Sequence, residues 1–260
     1  VDIKTRIAML QPEKYPMAGE PIHQVKMGVY DLKTGRTIYL NTGDPTDRYF
    51  TNICWSPDNQ LIYLIELNRK QTDFSLDAYD ATTGNRVSTL YREHSDKYVH
   101  PVNPITFLPW DASKFILQSE KDGFKHLYLF NIKGRQLKQL TAGKWLVLDL
   151  IGFNRTRKEA IILSNECNPI QNNLFAVSVQ TGKRRLLDNG KGCHANINEP
   201  DRGHKLALSP MGNWIIDNFT TPDIPRNIDI INVATGKSLS YFKAEDPWLG
   251  YQVPEYLCGT

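Results

Sequence analysis

The chain has 260 residues, 40% hydrophobic and 23% charged, a composition that fits one large all-β domain or two smaller ones. Its net charge is +3, from 31 basic and 28 acidic residues dispersed along the chain, which excludes a nucleic-acid footprint. No apolar run approaches the ~20 residues that span a bilayer as a helix.

Residues 1–24 differ from the rest of the chain. IKTRIAML has strand character, and QPEKYPMAGEPIHQ carries three prolines, which stiffen a segment and bar it from a central strand. The stretch reads either as a linker-like leader or as an arm projecting from the body.

From residue 25 a repeat begins. VYDLKTGRTIYL, AYDATTGNRVSTL, LYLFNIKGRQLKQL, LFAVSVQTGKRRLL and IDIINVATGKSLSYF each place a glycine turn between two apolar strands. The turn glycines are Gly35, Gly84, Gly134, Gly182 and Gly236, at successive differences of 49, 50, 48 and 54. Glycine supplies the positive φ such a hairpin needs. The last four are preceded by a second hairpin, as in NICWSPDNQLIYLIEL and LALSPMGNWIIDNFT.

Four short strands per period of about 50 residues is the blade of a β-propeller. The spacing predicts an all-β fold: a half blade at 25–42, then four-stranded antiparallel blades at about 49–92, 98–142, 144–188 and 194–243. No helical stripe interrupts them. LIYLIEL and FILQSE are apolar on both faces, as blades stacked face to face require. A β-sandwich would not explain the period. Because the chain opens inside a blade, it reads as part of a larger propeller, with two end faces open to association.

Chemistry-bearing motifs are sparse. No serine sits in a G-x-S-x-G elbow, and neither a metal site nor a cofactor is expected. Of six histidines, His126 lies inside a strand and reads as structural, whereas His94 and His100 fall in the loop EHSDKYVHPVNP, where function concentrates. Glu120 and Asp122 read as turn chemistry. Lys183-Arg184-Arg185 reads as a solvated strand end. Cys54 reads as core; Cys167 and Cys193 can pair in an oxidising compartment or stay free. Asn154-Arg155-Thr156 and Asn218-Phe219-Thr220 match the glycosylation acceptor pattern.

The stretch SEKDGFKHLYLFNIKGRQLKQLTAGKW, Ser119 to Trp145, resembles the propeller of the dipeptidyl peptidase IV family of prolyl oligopeptidase-type serine peptidases. YPMAGE followed by VKMGVYDL, ICWSPDNQLIYLIELNR and the D-x-P near Pro222–Pro225 fit the same alignment in order. The resemblance implies an eight-bladed propeller capping an α/β-hydrolase domain that removes N-terminal X-Pro or X-Ala dipeptides. It implies that the catalytic triad and the glutamate pair for the substrate amino terminus lie outside this chain, with 244–260 as the linker to the hydrolase.

Residues 1–24 would then be an arm in a homodimer contact, with Tyr15, Pro16 and Met17 at its centre. The loop carrying Tyr98 and His100 would edge the substrate pocket. The implied partners are the chain's own hydrolase domain, peptide substrates and a second copy of the parent; the implied location is a bacterial envelope or the exterior. A stand-alone kelch- or WD-like interaction propeller is the alternative.

Overall fold

The computed structural model describes residues 4–252 except 5, 13, 15, 16, 18, 45, 195–206 and 247. It is all-β, with no helix among the described residues. A two-stranded piece, β1 (Gly28–Tyr30) and β2 (Thr37–Tyr39), precedes four larger antiparallel sheets. The first sheet orders β3 (Arg48–Trp55), β4 (Leu61–Asn68), β5 (Asp73–Asp80) and β6 (Arg86–His94). The second holds β7 (Thr106–Leu108), β8 (Asp111–Ser119), β9 (His126–Asn131) and β10 (Gln136–Gln139). The third holds β11 (Val147–Asn154), β12 (Glu159–Ser164), β13 (Asn173–Ser178) and β14 (Arg184–Leu186).

The last sheet departs from the pattern. Its first position is split between β15 (Cys193–His194) and β16 (Ala207–Leu208), which both pair with β17 (Trp214–Thr221). Strands β18 (Ile224–Asn232) and β19 (Ser238–Lys243) complete it.

Because side chains alternate along a strand, the middle strands feed two cores at once. In β4, Ile62 and Leu64 pack toward β1–β2, while Tyr63, Ile65 and Leu67 pack toward the second sheet. In β12, Ala160 and Ile162 face the second sheet, while Ile161 and Leu163 face the last. Face-to-face stacking thus accounts for strands apolar throughout. The outer face of the last sheet leaves Trp214, Ile216, Leu239 and Phe242 exposed.

All five repeat glycines have positive φ, between 69° and 81°. Each turn is closed by the residue that starts it. Asp31, Asp80, Asn131 and Asn232 turn a side-chain oxygen back onto backbone N–H groups two to four residues on, and Ser178 does the same with its hydroxyl. At Asp80 the donors are the Thr82 hydroxyl, the N–H groups of Thr83 and Thr82 and the Thr83 hydroxyl, and they hold the carboxyl down at about 2. Asp111, held by Lys114 and Ser113, is likewise at about 2.

Depressed carboxyl pKa values contribute stability above the unfolded value of 3.8, and it is lost as pH falls toward 2. In a carbon-detected NMR titration both carboxyls should therefore stay ionised down to about pH 2. A midpoint near the ordinary carboxylate value for either would contradict the capping.

Two sequence expectations change here, and an open question about the cysteines is answered. Asn154 is fully buried, donating from Nδ2 to the Gly212 carbonyl (2.9 Å), so it is no acceptor for modification. Cys54, Cys167 and Cys193 are free thiols. The Lys183–Arg185 cluster is not merely solvated. Arg184 grips Glu166 with two nitrogens (2.6 and 2.8 Å) and lies over Trp145, and Arg185 pairs with the buried Glu159 (2.7 Å).

Candidate functional site

In an antiparallel meander the connections alternate between two ends. On one end fall the turns at 56–60, 81–85, 132–135, 155–158, 179–183, 209–213 and 233–237, all short. They are closed by local bonds such as Ser56 Oγ accepting from Gln60 and Leu61 N–H. The other end carries the longer loops, 95–105, 140–146, 165–172 and 187–192. Short turns stabilise and long loops on a rigid frame carry function, so the long-loop end is the candidate rim.

Its best-built portion is the 95–104 loop. Ser95 and Val99 N–H donate to the Thr72 and Gln71 carbonyls (2.9 and 2.7 Å), and Asn52 Nδ2 donates to the Pro101 carbonyl (2.6 Å). Gln71 and Asn52, both at the base of this loop, are two of four non-glycine residues with positive φ among the described residues. Such conformations gather at functional sites because the surrounding structure must enforce them. Asn52 sits where the β3–β4 register shifts, and the bulge aims its amide at the loop.

Tyr98 and His100 are exposed and flank the buried Val99. The alternation turns their rings to the same side, 6.5 Å apart edge-on. A cavity of 440 Å³ opens beside this loop, with Arg48, Glu66, Asp73, Arg92, Glu93 and His94 among its walls. His94 bonds Asp73 (2.6 Å) and Asp96 (3.2 Å), and those two carboxylates raise its pKa. Burial raises Glu66, opposed by the Arg48 guanidinium 3.2 Å away.

Of the three residues expected in a dimer contact, Met17 is exposed, and its carbonyl accepts from Glu20 N–H. Tyr15 and Pro16 lie outside the described residues. Glu20 meets this same rim, its carbonyl accepting from Arg69 (2.9 Å).

This arrangement can bind charged groups between paired acids and bases. Among the described residues, no hydroxyl or thiol bonds a histidine that also holds a carboxylate. His126 is structural, sealed between Thr141 and the Gly143 carbonyl under Trp145. Sequence reasoning missed the Asp73–His94 and Arg48–Glu66 pairs, which strand register alone brings together. An asparagine inside an apolar strand was the available signal for the bulge at Asn52.

Comparison with known proteins places these features in a group. The family described as the dipeptidyl peptidase IV (DPP IV) N-terminal region matches residues 6–226. A solved structure from Bacteroides ovatus, of a protein assigned as a dipeptidyl aminopeptidase IV, superposes with a TM-score of 0.83 at 40% identity, over 98% of this chain and 37% of that one. Porphyromonas gingivalis dipeptidyl peptidase 4 superposes at 0.76 with 23% identity, over 88% and 31%, a likeness of fold.

Among sequences, a dipeptidyl peptidase 4 of Emericella nidulans is 25% identical over 82% of this chain and 28% of its own length. The inactive dipeptidyl peptidase 10 of Rattus norvegicus is 27% identical over 64% and 22%. The chain thus spans a minor part of each relative's length.

Proposed function

The chain belongs to the dipeptidyl peptidase IV N-terminal region family, and from that premise we propose that it is the non-catalytic propeller portion of a dipeptidyl peptidase IV-like serine exopeptidase. The observation that carries this is the family match over residues 6–226, in a chain whose long-loop rim holds the exposed Tyr98–His100 pair. The parent enzyme would remove X-Pro and X-Ala dipeptides with a serine activated by histidine and oriented by aspartate in a hydrolase domain. The propeller would admit extended peptides and exclude folded proteins.

Residues 1–24, rooted on the rim through Arg69 and Glu20, would support the dimer, with Tyr15, Pro16 and Met17 in the contact. Tyr98 and His100 would edge the path of the substrate. Likeness to an inactive relative supports a second reading, in which the parent binds its partners without hydrolysis.

Release of dipeptides from Gly-Pro and Ala-Pro amides decides between them. Under the first reading the full-length parent turns both over, while the 260-residue chain alone turns over neither. Turnover by the isolated chain would overturn the non-catalytic assignment. An inert but folded parent would favour the second reading.

A further inference from the structure

The third and last sheets are joined by a loop that leaves β14, passes Asp188 and enters β15 at Cys193. Asp188 anchors its start by accepting from Leu174 N–H (2.6 Å), Gly190 N–H (2.7 Å) and Asn173 Nδ2 (3.1 Å). His194 anchors its end. His194 N–H donates to the Asn172 carbonyl (2.8 Å), and β15 pairs with β17 through Cys193↔Thr220 and His194↔Phe219.

The His194 ring is 1% exposed and stacks on Phe219, with centroids 4.9 Å apart. Its Nδ1 lies 2.6 Å from Asp217 Oδ2, and its Nε2 lies 2.9 Å from the Lys191 carbonyl. A carbonyl and a carboxylate only accept, so a neutral imidazole can donate to one of them but not to both. The geometry requires a second proton on the His194–Asp217 pair, on whichever side of the short bond it rests.

The charged groups facing this ring among the described residues are Asp217 on β17 and Asp188 on the loop, the latter 3.7 Å from Nε2. Burial disfavours the charged ring, but Asp217, Asp188 and the Lys191 carbonyl outweigh it, and the net direction is upward. Asp217 Oδ1 and Asn173 Oδ1 are buried without a hydrogen-bond partner. Loss of the proton would leave two buried carboxylates beside neutral imidazole, with no bonds in reserve.

The same loop walls a cavity of 690 Å³ on the long-loop rim, lined by Ile170, Lys191, Cys193, Phe219, Pro222 and Ile224 among others. We propose that the proton held between His194 and Asp217 is a latch for this junction, so that the loop stays docked and the cavity keeps its walls while the pair holds that proton, and opens as rising pH removes it. The sign follows from linkage. A histidine raised in the folded state stabilises fully below its unfolded value, and the contribution is lost as pH climbs through the folded one. The latch concerns a different cavity from the Tyr98–His100 rim and stands whether or not the parent is a peptidase.

The test is a pH series on the chain by ring-nitrogen NMR of His194, with hydrogen exchange of residues 188–194 and 219–221 corrected for intrinsic rates. The pair's second proton, read on the ring nitrogens together with the Asp217 carboxyl carbon, should persist above the ordinary histidine value of about 6.5. Exchange of these amides should rise at least about tenfold through the same midpoint. In His194→Gln, exchange should be fast at every pH. Should that variant fail to fold, Asp188→Asn should move the midpoint down, since one carboxylate that favours the charged ring is gone. A pair that loses its second proton at the ordinary histidine value, or exchange that ignores the midpoint, overturns the latch.

Discussion

Gly134→Ala is expected to destabilise the chain by about 2–5 kcal/mol, and Gly236→Ala by only about 1–2 kcal/mol, although both end the same kind of hairpin. Left-handed backbone costs a residue with a Cβ about 1–2 kcal/mol, and both glycines carry it, at φ 81° and 70°. They differ in what lies opposite. A Cβ on Gly134 would collide with the Leu90 carbonyl of the preceding sheet, as one on Gly84 would with that of Tyr39. At Gly182 the nearest carbonyl, Leu140, is 3.2 Å away, and at Gly236 the nearest, Leu187, is 3.9 Å away. Forcing a methyl group against backbone adds about 1–3 kcal/mol. Urea unfolding should rank the losses Gly134 and Gly84 above Gly182, and Gly182 above Gly236. Equal losses at all four would mean that turn conformation is the whole requirement.

The second large effect is at the junction of the first two sheets. Phe130 on β9 is 1% exposed. It stacks on Phe115 (5.7 Å, 5° between planes) and meets Tyr91 of the first sheet edge-on (5.2 Å). Above it the Lys121 ammonium lies over the Tyr128, Tyr91 and Phe130 rings, at 4.1, 5.2 and 5.6 Å. Removing the ring opens a cavity lined by side chains from two sheets that cannot both collapse into it. Phe130→Ala should therefore cost about 3–5 kcal/mol. Phe130→Leu, which keeps most of the volume, should cost less than about 1.5 kcal/mol. The expected reading is a lower denaturation midpoint at unchanged slope. A loss under about 1 kcal/mol for the alanine variant would show that the junction repacks.

Much of the architecture was legible because a repeat writes the same physics several times. The glycine at each Asp, Asn or Ser turn, and strands apolar at consecutive positions, signal stacked four-stranded sheets without any long-range information. The second duty of Gly84 and Gly134, to admit a carbonyl of the preceding sheet, was not legible, since hairpin conformation alone already explains a glycine there. The split of the last sheet's first strand into β15 and β16 was hidden for another reason, as local pattern does not distinguish one strand from two short ones.

The candidate site was legible only as a loop. EHSDKYVHPVNP announces itself by composition, but Arg48 meets Glu66, and Asp73 meets His94, through pairing across the sheet. The His194 cluster joins Asp188, His194 and Asp217 from two loop-separated sheets, and no spacing rule connects them.

The contacts at Gly84 and Gly134 have a direction. Each of these turns leans on the closing strand of the sheet made before it, and the turn at 209–213 leans instead on Phe153 at the end of β11, the opening strand of the third sheet. Asn41 N–H donating to the Gly84 carbonyl (2.7 Å) repeats the theme from the other side. A chain emerging from the ribosome would therefore find each docking surface already folded when the turn that needs it appears. Synthesis could then add each sheet to a face that the one before it already presents.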